Sequence, residues 1–296
     1  MNSIHRSVLL NEVIEGLNLD GKSVLVDGTF GGGGHSAEAL ARYPELRIIA
    51  IDQDQSTWER AKEKFSGKRI SFHLGNFRDL DRILGEEGVG QVDAVLLDLG
   101  LSSDQLENSG RGFSFMKDEP LAMTMKENPS SEDLSALDMV NEWSEESLAD
   151  IIYGYGEERF ARRIARGIAE ARREKKIATT GDLVEIIARS VPAAYRRGKP
   201  HFATRTFQAL RIAVNDELGA LERGMEKGFN ALAPGGRMAV ISFHSLEDRK
   251  VKNFYKEKYA SGEARVLTKK PITPGDEELK SNPRARSAKL RILEKI

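Results

Sequence analysis

A carboxylate followed at once by a glycine-rich turn is the arrangement in this chain best suited to chemistry. It lies in Ser23-Val-Leu-Val-Asp27-Gly-Thr-Phe-Gly31-Gly-Gly-Gly34-His-Ser36. The apolar residues predict a short strand ending at Asp27, the four glycines a turn, and Ser36 the opening of a helix. Glycines without a Cβ let the backbone pass close to a ligand, and the first N–H groups of a helix are free to meet it. A nucleotide-type cofactor is the expected occupant, and two kinds compete. Gly32-Gly-Gly34-His-Ser-Ala37 satisfies G-x-G-x-x-A, with Asp52 about the right distance downstream for a ribose hydroxyl, as in a dinucleotide site. Asp27 argues the other way. Its charge repels a pyrophosphate and attracts a cofactor that carries an amino group and a sulfonium.

These residues need a sheet to hold them. Strand signals at Ser23–Asp27, Arg47–Asp52, Arg69–Leu74 and Val92–Leu99 alternate with helical spacing through the first hundred residues. Apolar runs such as Ala94-Val-Leu-Leu97 predict strands covered on both faces, hence an α/β, doubly wound, mostly parallel sheet. The alternation then stops. From about Gln105 to Asn215 only helical stripes are found, among them Phe160, Ile164 and Ile168, and Leu183, Ile186 and Ile187. Strand signals resume at Arg237–Phe243, after the turn Ala233-Pro-Gly-Gly236, and again at Ala264–Thr268 and Ala288–Leu293. The expected organisation is a sheet domain of residues 1–105 and 216–296, interrupted by an inserted helical domain of residues 106–215.

In such a sheet, ligands gather at the carboxyl ends of the strands. Those ends hold Asp27, Asp52, Phe77, Asp98 and the pair His244-Ser245. Asp52 suits ribose hydroxyls or a helix cap, and Phe77 suits an adenine face or the core. Asp98 follows four apolar residues, where an unpaired charge is costly, so a polar ligand is its simplest explanation. His244 suits proton transfer or a capping hydrogen bond.

Composition closes off several alternatives. The 296 residues carry a net charge of −1, so global charge offers no argument for nucleic acid. With no cysteine, disulfides, thiolate metal sites and cysteine nucleophiles are excluded, and a reducing cytoplasm is the expected compartment. Five scattered histidines lack ligand spacing, so no metal is expected. No signal peptide is recognisable, and no apolar run approaches the roughly 18 residues needed to span a bilayer. Charge is nonetheless uneven. Glu127 to Glu158 holds ten acids and no base, whereas Arg189 to Arg211 holds six bases, no acid, and Tyr195, Phe202 and Phe207 among them. Solvated, mutually paired helix faces explain this, as does a basic surface for a polyanion.

Asp27-x-Thr29-x-Gly31-x-Gly33 resembles the first motif of class I methyltransferases that use S-adenosylmethionine, with Thr29 where glycine is commoner. The resemblance then narrows. His5-Arg-Ser-Val-Leu-Leu-Asn-Glu12, Leu97-Asp-Leu-Gly-Leu-Ser-Ser103, Arg111-Gly-Phe-Ser-Phe-Met116, Tyr155-Gly-Glu-Glu-Arg-Phe-Ala161, Thr204-Arg-Thr-Phe-Gln-Ala-Leu-Arg211, Ser242-Phe-His-Ser-Leu-Glu-Asp-Arg249 and Asn282-Pro-Arg-Ala-Arg-Ser287 resemble the bacterial 16S ribosomal RNA (cytosine-N4)-methyltransferase family, MraW, in order along almost the whole chain. The resemblance implies a Rossmann-like class I methyltransferase sheet, S-adenosylmethionine as donor, and a decoding-centre cytidine of 16S rRNA in the small ribosomal subunit as substrate. It implies a monomer or homodimer, and carries cofactor contacts over to Gly33, Gly34, His35, Asp52, Phe77, Asp98 and Gln105, with Gly31–Gly34 against the methionine portion. Family members usually read Pro-Leu-Asp-Met-Arg-Met where this chain has Pro120-Leu-Ala122-Met-Thr124-Met125. That departure motivates an alternative, a catalytically weak RNA-binding ribosome-assembly factor of the same fold.

The residue inventory suits methylation of an exocyclic amine. Methylating carbon 5 of a pyrimidine normally needs a cysteine adduct, whereas an amine needs only a hydrogen-bond acceptor and in-line placement. Asp98, His244 and Ser245 are the candidate acceptors. Arg205 and Arg211 are candidate phosphate contacts, and Phe113 and Phe115 are candidates to stack on an extruded base or to pack the insertion.

Overall fold

The structure, a computed structural model, describes residues 7–102, 105–106 and 108–296. Within the motifs above, His5, Arg6 and Ser103 lie outside the described residues. Contacts divide the chain into two compact units, residues 1–100 with 218–296, and residues 101–217.

The first unit is built on a seven-stranded sheet. Its strands are β1 (Val24–Asp27), β2 (Arg47–Asp52), β3 (Ile70–Leu74), β4 (Val92–Asp98), β5 (Leu232–Ser242), β6 (Ala264–Val266) and β7 (Lys289–Lys295), in the spatial order β3-β2-β1-β4-β5-β7-β6. The first five run parallel, and β7 pairs antiparallel with both β5 and β6. Alternation along the strands supplies two faces. Leu25, Ile48, Ala94 and Leu96 join one apolar cluster with Ile14 and Leu17 of α1 (Leu10–Leu17) and with Ala39 and Leu40 of α2 (Gly34–Arg42). Val26, Ile49, Val95 and Leu97 join the other, against α4 (Leu80–Glu86), α11 (Glu217–Ala231) and α12 (Ser245–Ala260). Gly228 permits α11 to lie close on the sheet, since a Cβ there would come within 2.9 Å of Met238 Cε. The chain runs outward from β1 through β2 to β3, then returns to β1's other side at β4. The β1/β4 border is therefore the switch point, with Asp27 and Asp98 at its carboxyl edge.

The sheet departs from the sequence expectation at its later strands. β5 begins at Leu232, five residues before Arg237. Its register jumps from Val92↔Leu232 to Ala94↔Arg237, so Ala233-Pro-Gly-Gly236 loops out of an otherwise continuous strand, with Gly235 at φ +75°. β6 is shorter than Ala264–Thr268 because Thr268 turns its hydroxyl to accept from Ile292 N–H at 2.9 Å.

The second unit is helical: α5 (Ala136–Glu142), α6 (Glu145–Gly154), α7 (Ala161–Glu174), α8 (Thr180–Ser190), α9 (Ala193–Arg196) and α10 (Thr204–Asn215). Ile164 and Ile168 of α7 meet Leu183 and Ile187 of α8 in one core with Leu148, Ile152, Phe207 and Leu210. Capping boxes at Ser135/Asp138 and Thr179/Asp182 fix where α5 and α8 begin. Gly156 lies where a Cβ would come 2.6 Å from the carbonyl oxygens of both Ile152 and Arg205. Backbone cannot yield as a side-chain tip can. Gly156→Ala is therefore expected to destabilise the protein by about 1–3 kcal/mol, read as a lower urea midpoint; an unchanged midpoint would show that α6 and α10 have room to part.

Candidate active site

Asp27 ends β1 with 1% of its surface exposed. Its Oδ2 accepts from Ser36 Oγ at 2.6 Å and its Oδ1 from Thr29 N–H at 3.3 Å. Burial, partly offset by those bonds and reinforced by Asp52, pushes its pKa up from 3.8 to about 6. Thr29, the residue that departs from glycine in the motif, accepts from Asp98 N–H at 2.6 Å through its hydroxyl. It thus ties the turn after β1 to the end of β4.

The glycine turn is held by Asp52. Its Oδ2 accepts from Gly31 N–H at 2.7 Å and its Oδ1 from Asp54 N–H at 2.9 Å. Burial raises the Asp52 pKa against the pull of these backbone donors. Gly33 follows at φ +66°, and a Cβ there would strike the Phe30 and Phe65 rings at 2.4–2.8 Å. A cavity of about 190 Å³ opens beside Asp52, lined by Phe30, Ala50, Asp54, Gln55, Trp58, Phe72, His73 and Leu74. Trp58 of α3 (Gln55–Ala61) sits edge-on to Phe72 at 3.7 Å, and Leu74 is 61% exposed. Sequence spacing did not single out Trp58, because a lone tryptophan in a short helix reads as core.

Asp98 is a carboxylate left incompletely satisfied. Its Oδ1 is buried with no hydrogen-bond partner among the described residues, although about a fifth of the side chain reaches the surface. Burial, then the charges of Asp27 and Glu247, push its pKa well above the usual carboxylate range. His35, 5% exposed, donates from Nε2 to Val8 O at 3.0 Å and sets Nδ1 3.7 Å from Asp98 Oδ2. The carboxyl edge is thus a concentration of poorly compensated negative charge. A pyrophosphate is disfavoured there, and a ligand bearing ammonium and sulfonium groups fits the donor-poor, acid-rich edge.

Other expected residues are committed elsewhere. His244 is the N-cap of α12: its Nδ1 accepts from Glu247 N–H at 3.4 Å, and its Nε2 lies 3.2 Å from Glu247 Oε1. Nδ1 is thus used by the helix cap, while Nε2 is buried beside the Glu247 carboxylate with no hydrogen-bond partner among the described residues, so the geometry shows the capping role. Ser245 is exposed at the first position of the same helix. Phe77 is half-buried, its ring pressed where Gly224 of α11 leaves space; a Cβ on Gly224 would come 2.3 Å from Phe77 Cδ2. A Cβ on Gly34 would meet Ser7 Oγ.

In the helical unit, Gln105 is buried and its Oε1 accepts from Ser102 N–H at 3.0 Å. Phe113 is 7% exposed inside the core, so it packs the unit and is not available to a base. Arg211 forks onto Glu217 with bonds of 2.7 and 2.8 Å, which removes it from the expected phosphate contacts. Arg205 donates to Glu157 O at 2.7 Å. Phe115 is half-buried and stacks on His201, a residue the sequence reading passed over.

A parallel five-strand run closed by an antiparallel pair, with an acid ending the first strand and a glycine turn behind it, defines a Rossmann-like class I methyltransferase. The comparisons with known proteins make this specific. The description of the MraW methylase family matches residues 2–296. The chain is 45% identical over 311 residues to ribosomal RNA small subunit methyltransferase H of Brevibacillus brevis, covering 99% of this chain and 98% of that one. It is 48% identical over 295 residues to the protein of that name in Persephonella marina, with 99% of each chain covered. Among solved structures, one described as a methyltransferase from Streptococcus mutans in complex with SAH shares 12% identity, with 98% of this chain and 99% of that one covered, at a TM-score of 0.46. The chain belongs to the MraW methylase family. Its methyl donor is S-adenosylmethionine.

Two titration consequences follow from the raised carboxyls. Between pH 3.8 and about 6 the folded protein keeps on Asp27 a proton that the unfolded chain has lost, so this contribution to stability declines as pH rises through that window. Asp27→Asn, which removes the buried charge, is expected to raise the stability of the cofactor-free protein at pH 7 by up to about 3 kcal/mol, read by thermal or urea unfolding. A cationic ligand reverses the preference by favouring the ionised acids. S-adenosylmethionine affinity is expected to increase as pH climbs through about 6, with proton release seen by calorimetry in buffers of different ionisation heat. Affinity independent of pH from 5 to 8 would sink this account.

Proposed function

We propose that this protein transfers the methyl group of S-adenosylmethionine to the exocyclic N4 amine of a cytidine in the decoding centre of 16S rRNA, in the cytoplasm and on the small ribosomal subunit. The observation that carries the site assignment is the unpartnered Asp98 Oδ1 at the β1/β4 switch point. The relatives' name, ribosomal RNA small subunit methyltransferase H, supports the substrate class. In this reading the sheet unit performs the chemistry and the helical unit recognises the RNA.

S-adenosylmethionine supplies an electrophilic methyl group when bound; the chain supplies placement and a proton acceptor. Asp52 would accept from the ribose hydroxyls with lone pairs left over from its backbone bonds. The Gly31–Gly34 turn and His35 would hold the methionine portion. Asp98 accepts a hydrogen bond from the target amine, drawing its lone pair out of conjugation with the ring. Asp98 would take up the proton that the amine releases on accepting the methyl group. Its raised pKa makes it a better acceptor than an ordinary aspartate.

The alternative, a catalytically weak assembly factor, is motivated by Ala122 and Thr124. Thr124 is 5% exposed, in a segment pinned by Arg111 to the carbonyls of Thr124 and Met125 and by Asn215 to Met123 and Met125. Label transfer from S-adenosylmethionine to small subunits of cells lacking the protein, followed by mass spectrometry of the rRNA, separates the two. A methyl on N4 of one cytidine is expected, and no transfer would leave the assembly role.

Two variants test the residue roles. Asp52→Ala loses charge-assisted hydrogen bonds worth on the order of 1.5–3 kcal/mol and should weaken cofactor binding at least about tenfold by calorimetry. Asp98→Asn at saturating cofactor should slow single-turnover methylation by roughly 10²-fold or more, while His244→Ala, with its ring engaged at the helix cap, should stay within a few-fold of the parent. The reverse ranking would return the acceptor role to His244.

A further inference from the structure

The helical unit carries one segment in which rings anchored to the core stand beside charges that the fold leaves unpaired. Residues 192–202 are fastened at two points. Near one end, Tyr195 donates its hydroxyl to Glu158 Oε2 at 2.6 Å; Glu158 is fully buried and also accepts from Phe160 N–H at 2.8 Å. At the other end His201 stacks on Phe115 with centroids 4.6 Å apart and planes 11° from parallel, and meets Phe202 at 4.1 Å. Phe115 in turn sits edge-on to Phe207 at 5.4 Å, which anchors the stack to α10. A segment held in this way is rigid before any partner arrives, so ordering it on binding costs little.

Its surface is cationic. Arg196, Arg197 and Lys199 are exposed, and none has a carboxylate partner among the described residues. Arg159 and Arg163 add to them: both guanidiniums lie over the Phe160 ring, at 4.8 and 5.8 Å, and Arg159 also covers the Tyr195 ring at 4.9 Å. Some bases elsewhere in the unit are paired, as in Arg189 with Glu185, Lys175 with Asp182 and Arg166 with Glu145, whereas the cations of this segment lie together and beside rings. His201 is exposed, Met116 beside Phe115 is 80% exposed, and partial burial lowers the His201 pKa, which keeps the ring neutral.

We propose that residues 192–202, with Phe115 and Arg159, form a docking surface for single-stranded RNA: a nucleobase extends the Phe115–His201 stack, and the neighbouring phosphates meet Arg196, Arg197 and Lys199. The proposal rests on the rRNA reading above and names the element that grips that substrate. Interleaved rings and unpaired cations are what sequence-tolerant single-strand binding requires, because every base has a π face and every nucleotide a phosphate. A protein partner with acidic groups would use the cations and leave the stack idle.

The test uses the full chain and a fluorescent single-stranded RNA of about a dozen nucleotides, titrated at several salt concentrations. Reversing Arg196, Arg197 and Lys199 to Glu should flatten the slope of log K against log salt by about 2, from about 0.7 per lost single-strand phosphate contact. His201→Ala should weaken binding about tenfold without changing that slope, and His201→Phe should restore it. Cofactor affinity and melting temperature should match the parent in all three. RNA affinity and slope unchanged in every variant would overturn the proposal, as would a charge effect that polyglutamate competes away while His201→Ala is silent. Methylation of small subunits by the parent is scored separately. Active parent with indifferent variants removes this surface and keeps the methyltransferase reading; inactive parent with RNA-deficient variants does the opposite.

Discussion

Uncompensated negative charge at the β1/β4 border is the constraint around which the sheet unit is organised. Asp27 and Asp98 end adjacent parallel strands, and among the described residues neither has a lysine or arginine to neutralise it. Ordinary folding would not retain two such acids, since each lost solvent and gained only neutral donors. The remaining features of the edge are intelligible as support for this arrangement. Ser36 and Thr29 steady Asp27, Thr29 reaches on to the Asp98 backbone, and His35 stands beside the Asp98 carboxyl without a full hydrogen bond. The stability these acids cost the fold is returned when a cation binds, which is how a site gains affinity without many contacts.

The same economy separates the two units. In the first, charged residues near the ends of the later strands hold elements together. Arg237, after the looped-out turn, bonds Glu294 of β7 and Gly16 O of α1, and Asp248 bonds Arg291 and Lys289 of β7. In the second, Arg172 caps the end of α5 through the carbonyls of Val140 and Trp143. A motif rich in charge is therefore no guide by itself to the surface that meets a substrate. What distinguishes such a surface is charge left over after the fold has taken its share.

This is also where sequence reasoning lost resolution. Asp27, the glycine turn, Asp52 and Asp98 were legible because a strand has a definite end, and a carboxylate at that end has one direction to point. The first four strands followed from short strand signals set between helical spacings, with boundaries off by a residue at most. Helix positions are different. Phe113 and Phe115 are two residues apart in one loop, yet one is core and the other stacks on His201. Arg205 and Arg211 sit on one helix, but Arg211 meets Glu217 only because α10 ends in a left-handed Asp216 that turns the chain back. No periodicity encodes that turn. His244 was open to either role until Glu247, three residues on, completed the capping box. His201 gave no signal, since its partner Phe115 lies 86 residues away in sequence.

The placement of the helical unit between β4 and β5 has a consequence for how the chain is assembled. When β4 leaves the ribosome, β1, β2 and β3 are already available to it, but its second edge has no partner until residue 232 appears. Residues 101–217 are made in that interval, and their core is drawn from within that span. Collapse of this intervening unit brings its own ends together, so the entropy of closing a loop of more than a hundred residues is met before β5 has to find β4. The insertion therefore acts as a folding clamp: it shortens the effective tether of a long-range parallel pairing and limits the time for which a bare, apolar strand edge is open to other chains.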